Sequence, residues 1–225
     1  MQYKYELHAH SKEVSVCAAI SVKELIEEYK NAGYSGIVLT DHYSPMTFHI
    51  SELFNKKKAM DHYLRAYREA KKYETEDFTV LLGVELRFYA TVNDYLIYGV
   101  TEEMLYDLPF LLKCYIKKAS RLFRERGCIF IQAHPFRKMI TRAKPEYLDG
   151  VEVFNGKASR EANDASSDWA NEINTPIRTS GSDCHRKTGV GIGGIITQEP
   201  IKSNDDLIRI LKSGKYELIK NQRTS

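Results

Sequence analysis

The sequence predicts an α/β fold in which helices cover a largely parallel sheet. Short apolar runs that are typical of buried strands alternate with amphipathic helical segments along all 225 residues. Such alternation is typical of β–α–β units. Polar side chains gather where the predicted strands end, which is where α/β barrels carry their chemistry. The pattern alone does not separate an open, doubly wound sheet from a closed barrel.

The predicted elements follow one another without a flexible linker. Ser21 and Glu24 form a capping box for the first helix, and Gly33 stands where a helix C-terminal glycine is expected. The strands are predicted at 3–8, 36–40, 80–88, 95–100, 128–133, 150–154, 176–180 and 215–219. The helices are predicted near 22–32, 61–73, 109–127 and 159–171, with a last helix capped by Ser203. We therefore expect one domain over residues 1–225.

The composition excludes several classes of protein. Apolar residues make up 43% of the chain and charged residues 28%, with a net charge of +3, so no strong electrostatic attraction to nucleic acid or membranes is expected. No apolar run approaches the roughly 18 residues of a membrane span. The four cysteines form no CxxC pair, which fits free thiols in a reducing compartment, and no signal peptide is recognised. We expect a cytoplasmic protein.

Histidines are concentrated at the predicted strand ends. Five of the seven directly follow a strand, namely His8, His10, His42, His134 and His185. Side chains two apart in a strand share a face, so the first two are expected to point into one pocket. Asp183 and His185 are expected to do likewise if the chain stays extended there. Histidine and carboxylate ligands suit Zn, Mn, Fe or Co, and these residues outnumber the four ligands of one tetrahedral zinc. A cluster of two or three divalent ions is predicted.

Five motifs in register resemble the PHP (polymerase and histidinol phosphatase) family. They are HxH at 8–10, TDH at 40–42, GxE at 83–85, AHP at 133–135 and SDxH at 182–185. The resemblance implies a distorted (β/α)7 TIM-like barrel with a multinuclear metal site, which hydrolyses phosphate esters. It implies that His8, His10, Glu85 and Asp183 bind one ion with Glu85 as a bridge, that His134 binds a second, and that His42 and His185 bind a third.

Some positions depart from the family pattern. Many relatives have an aspartate where Glu6 stands, and Glu6 is expected to face inward and support the histidines. Relatives often carry a ligand shortly after HxH, where this chain offers Glu13 or Cys17, of which Glu13 is favoured. Asp94 stands where some relatives have histidine, and it is a further candidate ligand.

Other residues are candidates for roles around the metals. Arg137 and Arg160 are the favoured phosphate-binding cations, because arginine grips phosphate in bidentate fashion. Arg87 and Arg186 are weaker candidates, and each of the four is equally a surface salt-bridge residue. Asp41 is a candidate to orient His42. His49 and His62 are interpreted as surface residues and 56–58 as a solvated basic face. The GxGxxG match at 189–194 is interpreted as a close-packed turn, because no helix follows it.

The predicted function is a metal-dependent phosphoesterase (phosphatase) that hydrolyses a small phosphate monoester, similar to histidinol phosphate or a nucleotide. A hydroxide formed at the metal cluster would attack phosphorus. One alternative is a 3′–5′ nuclease acting on single-stranded ends, although the sequence has no long basic stripe. Another is a catalytically silent metal-binding module with a regulatory role. The expected partner is a small phosphorylated substrate, and no membrane partner is expected. The sequence does not indicate an oligomeric state.

Overall fold

The computed structural model describes residues 1–89 and 91–221, which form a single-domain, mixed α/β fold. The strands are β1 (Tyr3–Ala9), β2 (Gly36–Leu39), β3 (His42–Tyr43), β4 (Thr79–Leu82), β5 (Val84–Leu86), β6 (Tyr95–Tyr98), β7 (Ile129–Gln132), β8 (Gly150–Asn155), β9 (Ile177–Gly181), β10 (Gly193–Thr197) and β11 (Glu217–Lys220). The helices are α1 (Val22–Asn31), α2 (Lys56–Lys71), α3 (Glu102–Asp107), α4 (Ile116–Arg124), α5 (Arg160–Glu172) and α6 (Asn204–Ser213).

Two sheets together make the distorted barrel. One has the strand order β11-β10-β1-β2-β4, and the other has the order β3-β5-β6-β7-β8-β9. On one side the chain passes directly from one sheet to the other, because β2 is followed closely by β3 and β4 is followed by β5 after Gly83. On the other side His10 N donates to the Cys184 carbonyl at 2.9 Å, and Cys184 N donates to the His8 carbonyl at 3.1 Å. The metal-site residues lie close to both junctions.

The expectation of a largely parallel sheet is only partly met. Of the nine strand pairs described, β1–β10, β10–β11, β5–β6 and β6–β7 are antiparallel. The stretch predicted as one strand at 80–88 is divided at Gly83. A Cβ at that position would lie 2.7 Å from a Val38 methyl and 2.8 Å from the Thr40 methyl. Glycine therefore permits the close crossing at which the chain passes from one sheet to the other.

Local capping signals place the helix starts well. The capping box of Ser21 and Glu24 is present, and Ser203 caps α6 as predicted. Helix α2 begins five residues earlier than predicted, because the Asn55 side chain accepts a hydrogen bond from Lys58 N. Lys57 and Lys58 are exposed in its first turn, in agreement with a solvated basic face.

The single helix predicted from Pro109 to Gly127 is wrong. Thr101 caps α3, which ends before Leu108, a residue with extended φ and ψ of −63° and 149°. The residue before a proline is pushed out of the helical region by the proline ring, so Pro109 ends one helix instead of beginning another. The second helix, α4, begins only at Ile116.

The glycine-rich segment 189–194 is a close-packed turn that leads into β10, as expected. A Cβ on Gly193 would lie 2.2 Å from the Gly181 carbonyl carbon, so a larger residue would push β10 away from β9. Gly194 has φ +128°, and a Cβ there would lie 2.4 Å from the Tyr5 carbonyl oxygen. No helix among the residues described is long and apolar enough to cross a membrane.

Candidate metal centre

A β-bulge in β1 aims the first two histidines into the barrel. Glu6 pairs with Ile37 of β2, but Ala9, three residues later, pairs with Leu39 only two residues on. The extra residue reverses which side chains face inward, and bulges commonly re-aim side chains next to active sites. Glu6 therefore faces α1, where the Tyr29 hydroxyl donates to it at 2.7 Å, while His8 and His10 face the interior.

The outward position of Glu6 corrects the expectation that it shares the face of the histidines. Its Oε1 accepts hydrogen bonds from the backbone N–H groups of His8 and Ser182, at 2.8 and 2.9 Å. Burial raises the pKa of Glu6 to about 7, although hydrogen bonds from Ser182 and Tyr29 oppose this shift. Glu6 thus holds the bulged backbone of β1 against the segment after β9.

Glu85 of β5 lies at the centre of the cluster. Its Oε1 is 3.2 Å from His8 Nε2 and 3.1 Å from His134 Nε2. Its Oε2 is 3.5 Å from His10 Nε2 and 2.6 Å from His42 Nδ1. Each carboxylate oxygen thus faces a different pair of imidazoles. This is the arrangement expected of a carboxylate that bridges two ions.

Asp183 is a second carboxylate that lies close to three of the histidines. Its Oδ1 is 3.7 Å from His8 Nε2, 3.4 Å from His10 Nε2 and 3.2 Å from His185 Nδ1. The chain is not extended here, because Asp183 has φ +49°. His134 also has a positive φ, of 30°. Non-glycine residues rarely adopt this conformation, and such strain concentrates at functional sites.

Asp94 closes the cluster beside His134. Its Oδ2 lies 3.7 Å from His134 Nε2, and its side chain is fully buried. The Arg87 guanidinium forms a two-pronged ion pair with this carboxylate, with Nε donating at 2.6 Å. Arg87 therefore neutralises and orients Asp94.

The donor set fits a group of divalent ions. Ligating atoms lie within 4.8 Å of one another in four overlapping triads: His10–His42–His185, His8–His10–Glu85, His8–His134–Asp183 and Glu85–Asp94–His134. Among the residues that the structure describes, the buried Nε2 atoms of His8 and His10 have no hydrogen-bond partner. Buried polar atoms without partners are costly, and cations bound between these imidazoles and carboxylates would satisfy them.

The structure does not bring Glu13 to the cluster, so that assignment is corrected. The Glu13 carboxylate accepts a hydrogen bond from Val22 N, at 3.1 and 3.2 Å from its two oxygens, at the start of α1. Cys17, the other candidate, has its Sγ 3.1 Å from His185 Nε2. The other eight residues predicted as ligands are those of the four triads.

Glu152 is a buried acid whose role the sequence did not reveal. Its Oε1 lies 2.7 Å from His8 Nδ1, and its Oε2 accepts from His134 N at 2.9 Å and from Asn155 Nδ2 at 3.0 Å. Carboxylates that hold the far nitrogen of a histidine fix its orientation as a ligand. A glutamate inside the apolar strand 150–154 is the sequence signal that could have identified it.

Asp41 acts on the histidines through a serine and does not bond His42 directly. Its carboxylate accepts from Ser11 N, Ser11 Oγ and Ser15 Oγ, each at 2.7 Å. Ser15 Oγ in turn lies 3.4 Å from His10 Nδ1 and accepts from His42 N at 3.0 Å. Burial raises the pKa of Asp41 to about 6, against the lowering effect of these serines.

Neighbouring groups shift the pKa values of the histidines and the cysteine at the mouth of the site. Burial opposes protonation of His42, but the Glu85 carboxylate and the hydrogen bond with Cys17 raise its pKa to about 10. His185 is likewise opposed by burial, yet hydrogen bonds with Asp183 and Cys17 raise its pKa to about 9. Burial also disfavours the Cys17 thiolate, but His185 and His42 lower the pKa of Cys17 to about 6.

Cations stand on the rim of a cavity of about 270 Å³ above the cluster. Arg87, Arg137 and Lys157 line it together with His42, Asp183 and His185. Lys157 was not identified from the sequence, although it closely follows β8. Its Nζ lies 3.7 Å from Asp183 Oδ1.

Arg160 is placed differently from its prediction. It lines a separate depression beside Asn155 and Gly156, and its exposed guanidinium lies 3.8 Å from Asp164. It is not among the residues that line the cavity above the cluster. Arg186 is exposed, as is His49, while His62 pairs with the buried Glu52 at 2.7 Å.

Buried imidazoles and carboxylates at the strand ends of a distorted barrel define a metal-dependent hydrolase fold. The chain belongs to the PHP domain family: the PHP domain profile matches residues 6–173, and the PHP-associated profile matches residues 160–216. Asp183 and His185 lie in the second match. No curated protein matches the chain.

Solved structures share this fold. PsfC from Pseudomonas syringae PB-5123 superposes with a TM-score of 0.70 at 14% identity, covering 98% of this chain and 92% of PsfC. A two-domain protein from Bacteroides vulgatus ATCC 8482, which contains a predicted PHP-like metal-dependent phosphoesterase, gives 0.65 at 16% identity, covering 98% of this chain and 65% of its own. The lesion-specific endonuclease PfuEndoQ from Pyrococcus furiosus superposes with a TM-score of 0.63 at 14% identity, covering 97% of this chain and 58% of PfuEndoQ.

Proposed function

We propose that the whole chain acts as one metal-dependent phosphoesterase domain that hydrolyses small phosphate monoesters. One observation carries this proposal: a buried cluster of imidazoles and carboxylates lies at the base of a cavity whose rim holds three cations. Two or three ions of the Zn, Mn or Fe type would be held by the eight residues of the four triads, with Glu85 as the bridge. Bound divalent ions supply a water nucleophile at neutral pH and neutralise charge on phosphoryl oxygens.

Some residues around the cluster would bind the phosphate, and others orient the candidate ligands. Arg137 and Lys157 at the rim would approach phosphate oxygens, although Lys157 Nζ also lies 3.7 Å from Asp183 Oδ1. Arg87 is already engaged with Asp94. Two rim cations would hold a dianionic phosphate above the cluster by charge-assisted hydrogen bonds. Glu152 holds His8 in one orientation, so the imidazole keeps Nε2 directed at the cluster.

The size of the cavity favours small substrates. Its volume of about 270 Å³ is just below the range of typical ligand pockets, which span roughly 300–1,000 Å³. A phosphate on a compact alcohol or a mononucleotide matches this volume better than a polymer does.

The test is a panel of phosphate monoesters assayed on purified protein with added Mn²⁺ or Zn²⁺. We expect turnover that a chelator abolishes and that the substitution Glu85→Gln lowers by about a hundredfold or more, because metal ions contribute several kcal/mol to such reactions. Glu27→Gln, on the exposed face of α1, is the matched control and should leave turnover unchanged. Two bound ions without turnover of any ester would instead support a silent metal-binding module.

A nuclease is the second candidate function. The fold likeness to PfuEndoQ favours it, as does an open groove of about 860 Å³ along α4 that is lined by Lys117, Lys118, Arg121 and Arg124. The lining also includes Tyr115, Tyr147 and Glu125, and its lysines and arginines are of the type that contacts the phosphate backbone of a nucleic acid. Release of nucleotides from single-stranded DNA ends, with no hydrolysis of monoesters, would decide for the nuclease.

A further inference from the structure

A cysteine stands among the histidines at the mouth of the metal centre. His185 Nε2 lies 3.4 Å from His42 Nε2 and 3.1 Å from Cys17 Sγ. The His10 ring packs against both imidazoles, with ring centroids 4.3 Å from His42 and 4.2 Å from His185. His10 Nε2 is buried and has no hydrogen-bond partner in the part of the chain that the structure describes, and it lies within reach of the same ion as the nitrogens of His42 and His185. Three donor nitrogens and one sulfur thus converge there.

The loop that carries Cys17 is fixed against His185 by backbone hydrogen bonds. Ala19 N donates to the His185 carbonyl at 2.8 Å, and Ala18 N donates to the Ser15 carbonyl at 2.9 Å. Lys12 N donates to the Ile20 carbonyl at 2.9 Å and closes the base of the loop. Main-chain hydrogen bonds on both sides of Cys17 therefore hold the loop that carries the sulfur.

We propose that Cys17 is a thiolate ligand of the outermost ion, together with His42 and His185, and that it makes this position selective for Zn²⁺ over Mn²⁺ and Mg²⁺. The inference rests on the metal centre of the proposed function and deepens it. A tetrahedral zinc with bonds of about 2.1 Å to nitrogen and 2.3 Å to sulfur holds its ligand atoms roughly 3.4–3.6 Å apart. The observed separation of 3.4 Å between His185 Nε2 and His42 Nε2 matches the nitrogen–nitrogen spacing, whereas the 3.1 Å between His185 Nε2 and Cys17 Sγ is shorter than the nitrogen–sulfur spacing.

The chemistry of the donors separates this position from the inner ones. Thiolate and imidazole ligands favour zinc, whereas carboxylate oxygens favour harder ions such as Mn²⁺ and Mg²⁺. The inner triads each contain Glu85 or Asp183, but the outer triad of His10, His42 and His185 contains no carboxylate. One centre thus offers a sulfur–nitrogen position beside positions with mixed nitrogen and oxygen donors.

The test is a Co²⁺ titration of the metal-free full chain, with a reductant that does not bind metals. We expect the near-ultraviolet charge-transfer absorption of a cobalt–thiolate bond. Cys17→Ser should remove this band while the weaker visible bands of the remaining cobalt persist. Cys114→Ala is the matched control, because this buried cysteine lies in the apolar core, and it should keep the band. An unchanged band in Cys17→Ser would overturn the proposal.

Zinc competition gives a second, independent readout. In Cys17→Ser, one Zn²⁺ per chain should bind more than about a hundredfold more weakly, since loss of a partner outside the ligand shell already costs roughly 10- to 100-fold. Binding of Mn²⁺ at the inner positions should be unchanged. Equal zinc affinity in both proteins would contradict the proposal. Ester turnover is measured separately. A protein that shows the cobalt–thiolate band but hydrolyses no ester would therefore contradict only the proposed phosphoesterase activity.

Discussion

Glu152 shows at the scale of single residues how the cluster is oriented. This fully buried carboxylate lies 2.7 Å from His8 Nδ1 and accepts a hydrogen bond from His134 N, so one side chain positions two candidate ligands. Coulombic attraction to Glu152 helps to raise the pKa of His8 well above its ordinary value, although burial opposes the shift. Without this acid, the His8 ring would lose the contact that directs Nε2 at Glu85.

We expect Glu152→Gln to weaken metal binding by roughly 10- to 100-fold while the fold is retained. The amide has the same shape, but it presents only one acceptor oxygen to partners that now occupy two. Metal affinity is measured by competition with a chromophoric chelator, and thermal unfolding of the metal-free protein checks the fold. Glu172→Gln, an exposed glutamate at the end of α5, is the control. Equal affinities in both variants would show that Glu152 has no orienting role.

The positions of the clustered histidines could be predicted because they depend on strand ends, which are visible as apolar runs. The direction in which the Glu6 side chain points could not be predicted, because it depends on a bulge that the pairing with β2 sets. The choice between Glu13 and Cys17 depends on a loop held by hydrogen bonds to residues far along the chain. Lys157 was missed because a single lysine in a loop carries no pattern.

Whole elements were predicted well where the signal is local. The caps at Ser21, Ser159 and Ser203 fix helix starts through hydrogen bonds within one turn, so the sequence alone contains the information. The direction of β6 is different, because its antiparallel pairing with β5 and β7 depends on where the chain goes between them. Alternation of strands and helices does not encode that path.

The capping box of α1 gives a prediction at the scale of an element. Ser21→Ala should lower the free energy of unfolding by about 1 kcal/mol, because Glu24 N loses its side-chain acceptor. Urea unfolding at neutral pH measures this change. Lys23→Ala, an exposed change in the same turn, should be nearly neutral.

The same capping box predicts a pH dependence. Hydrogen bonds from the Ser21 side chain and backbone lower the pKa of Glu24 from 4.5 to about 2. A carboxyl with a lowered pKa stabilises the fold above its unfolded pKa, and this contribution is lost as the pH falls from about 4.5 toward 2. The stability difference between the wild type and Ser21→Ala should therefore shrink over that range. A constant difference from neutral pH to pH 3 would contradict the role assigned to Glu24.

At the scale of the whole molecule, the metal centre joins the two sheets. Its candidate ligands come from β1, β3 and β5, from the segments that follow β1, β7 and β9, and from the residue before β6, so bound ions would connect strands of both sheets. A ligand that binds only the folded state stabilises that state by mass action. The barrel should therefore be more stable with metal than without it.

An ion present at 100 times its Kd contributes about 2.7 kcal/mol. For a chain of this length the melting temperature should rise by roughly 5–11 °C, at about 2–4 °C per kcal/mol. Calorimetry with and without a chelator measures the shift. The double substitution His8→Ala/His10→Ala should melt at the same temperature in both conditions. A wild-type melting temperature that is the same with and without the chelator would argue against ions at this site.

The antiparallel pairing of Tyr3 with Thr197 also has a consequence for synthesis on the ribosome. Strand β1 pairs with β2 on one side, but its other neighbour, β10, is translated almost 200 residues later. Until then β1 presents an open apolar edge, and Asp183 and His185 are absent from the growing chain. The metal centre can therefore be completed only after nearly the entire barrel has been translated.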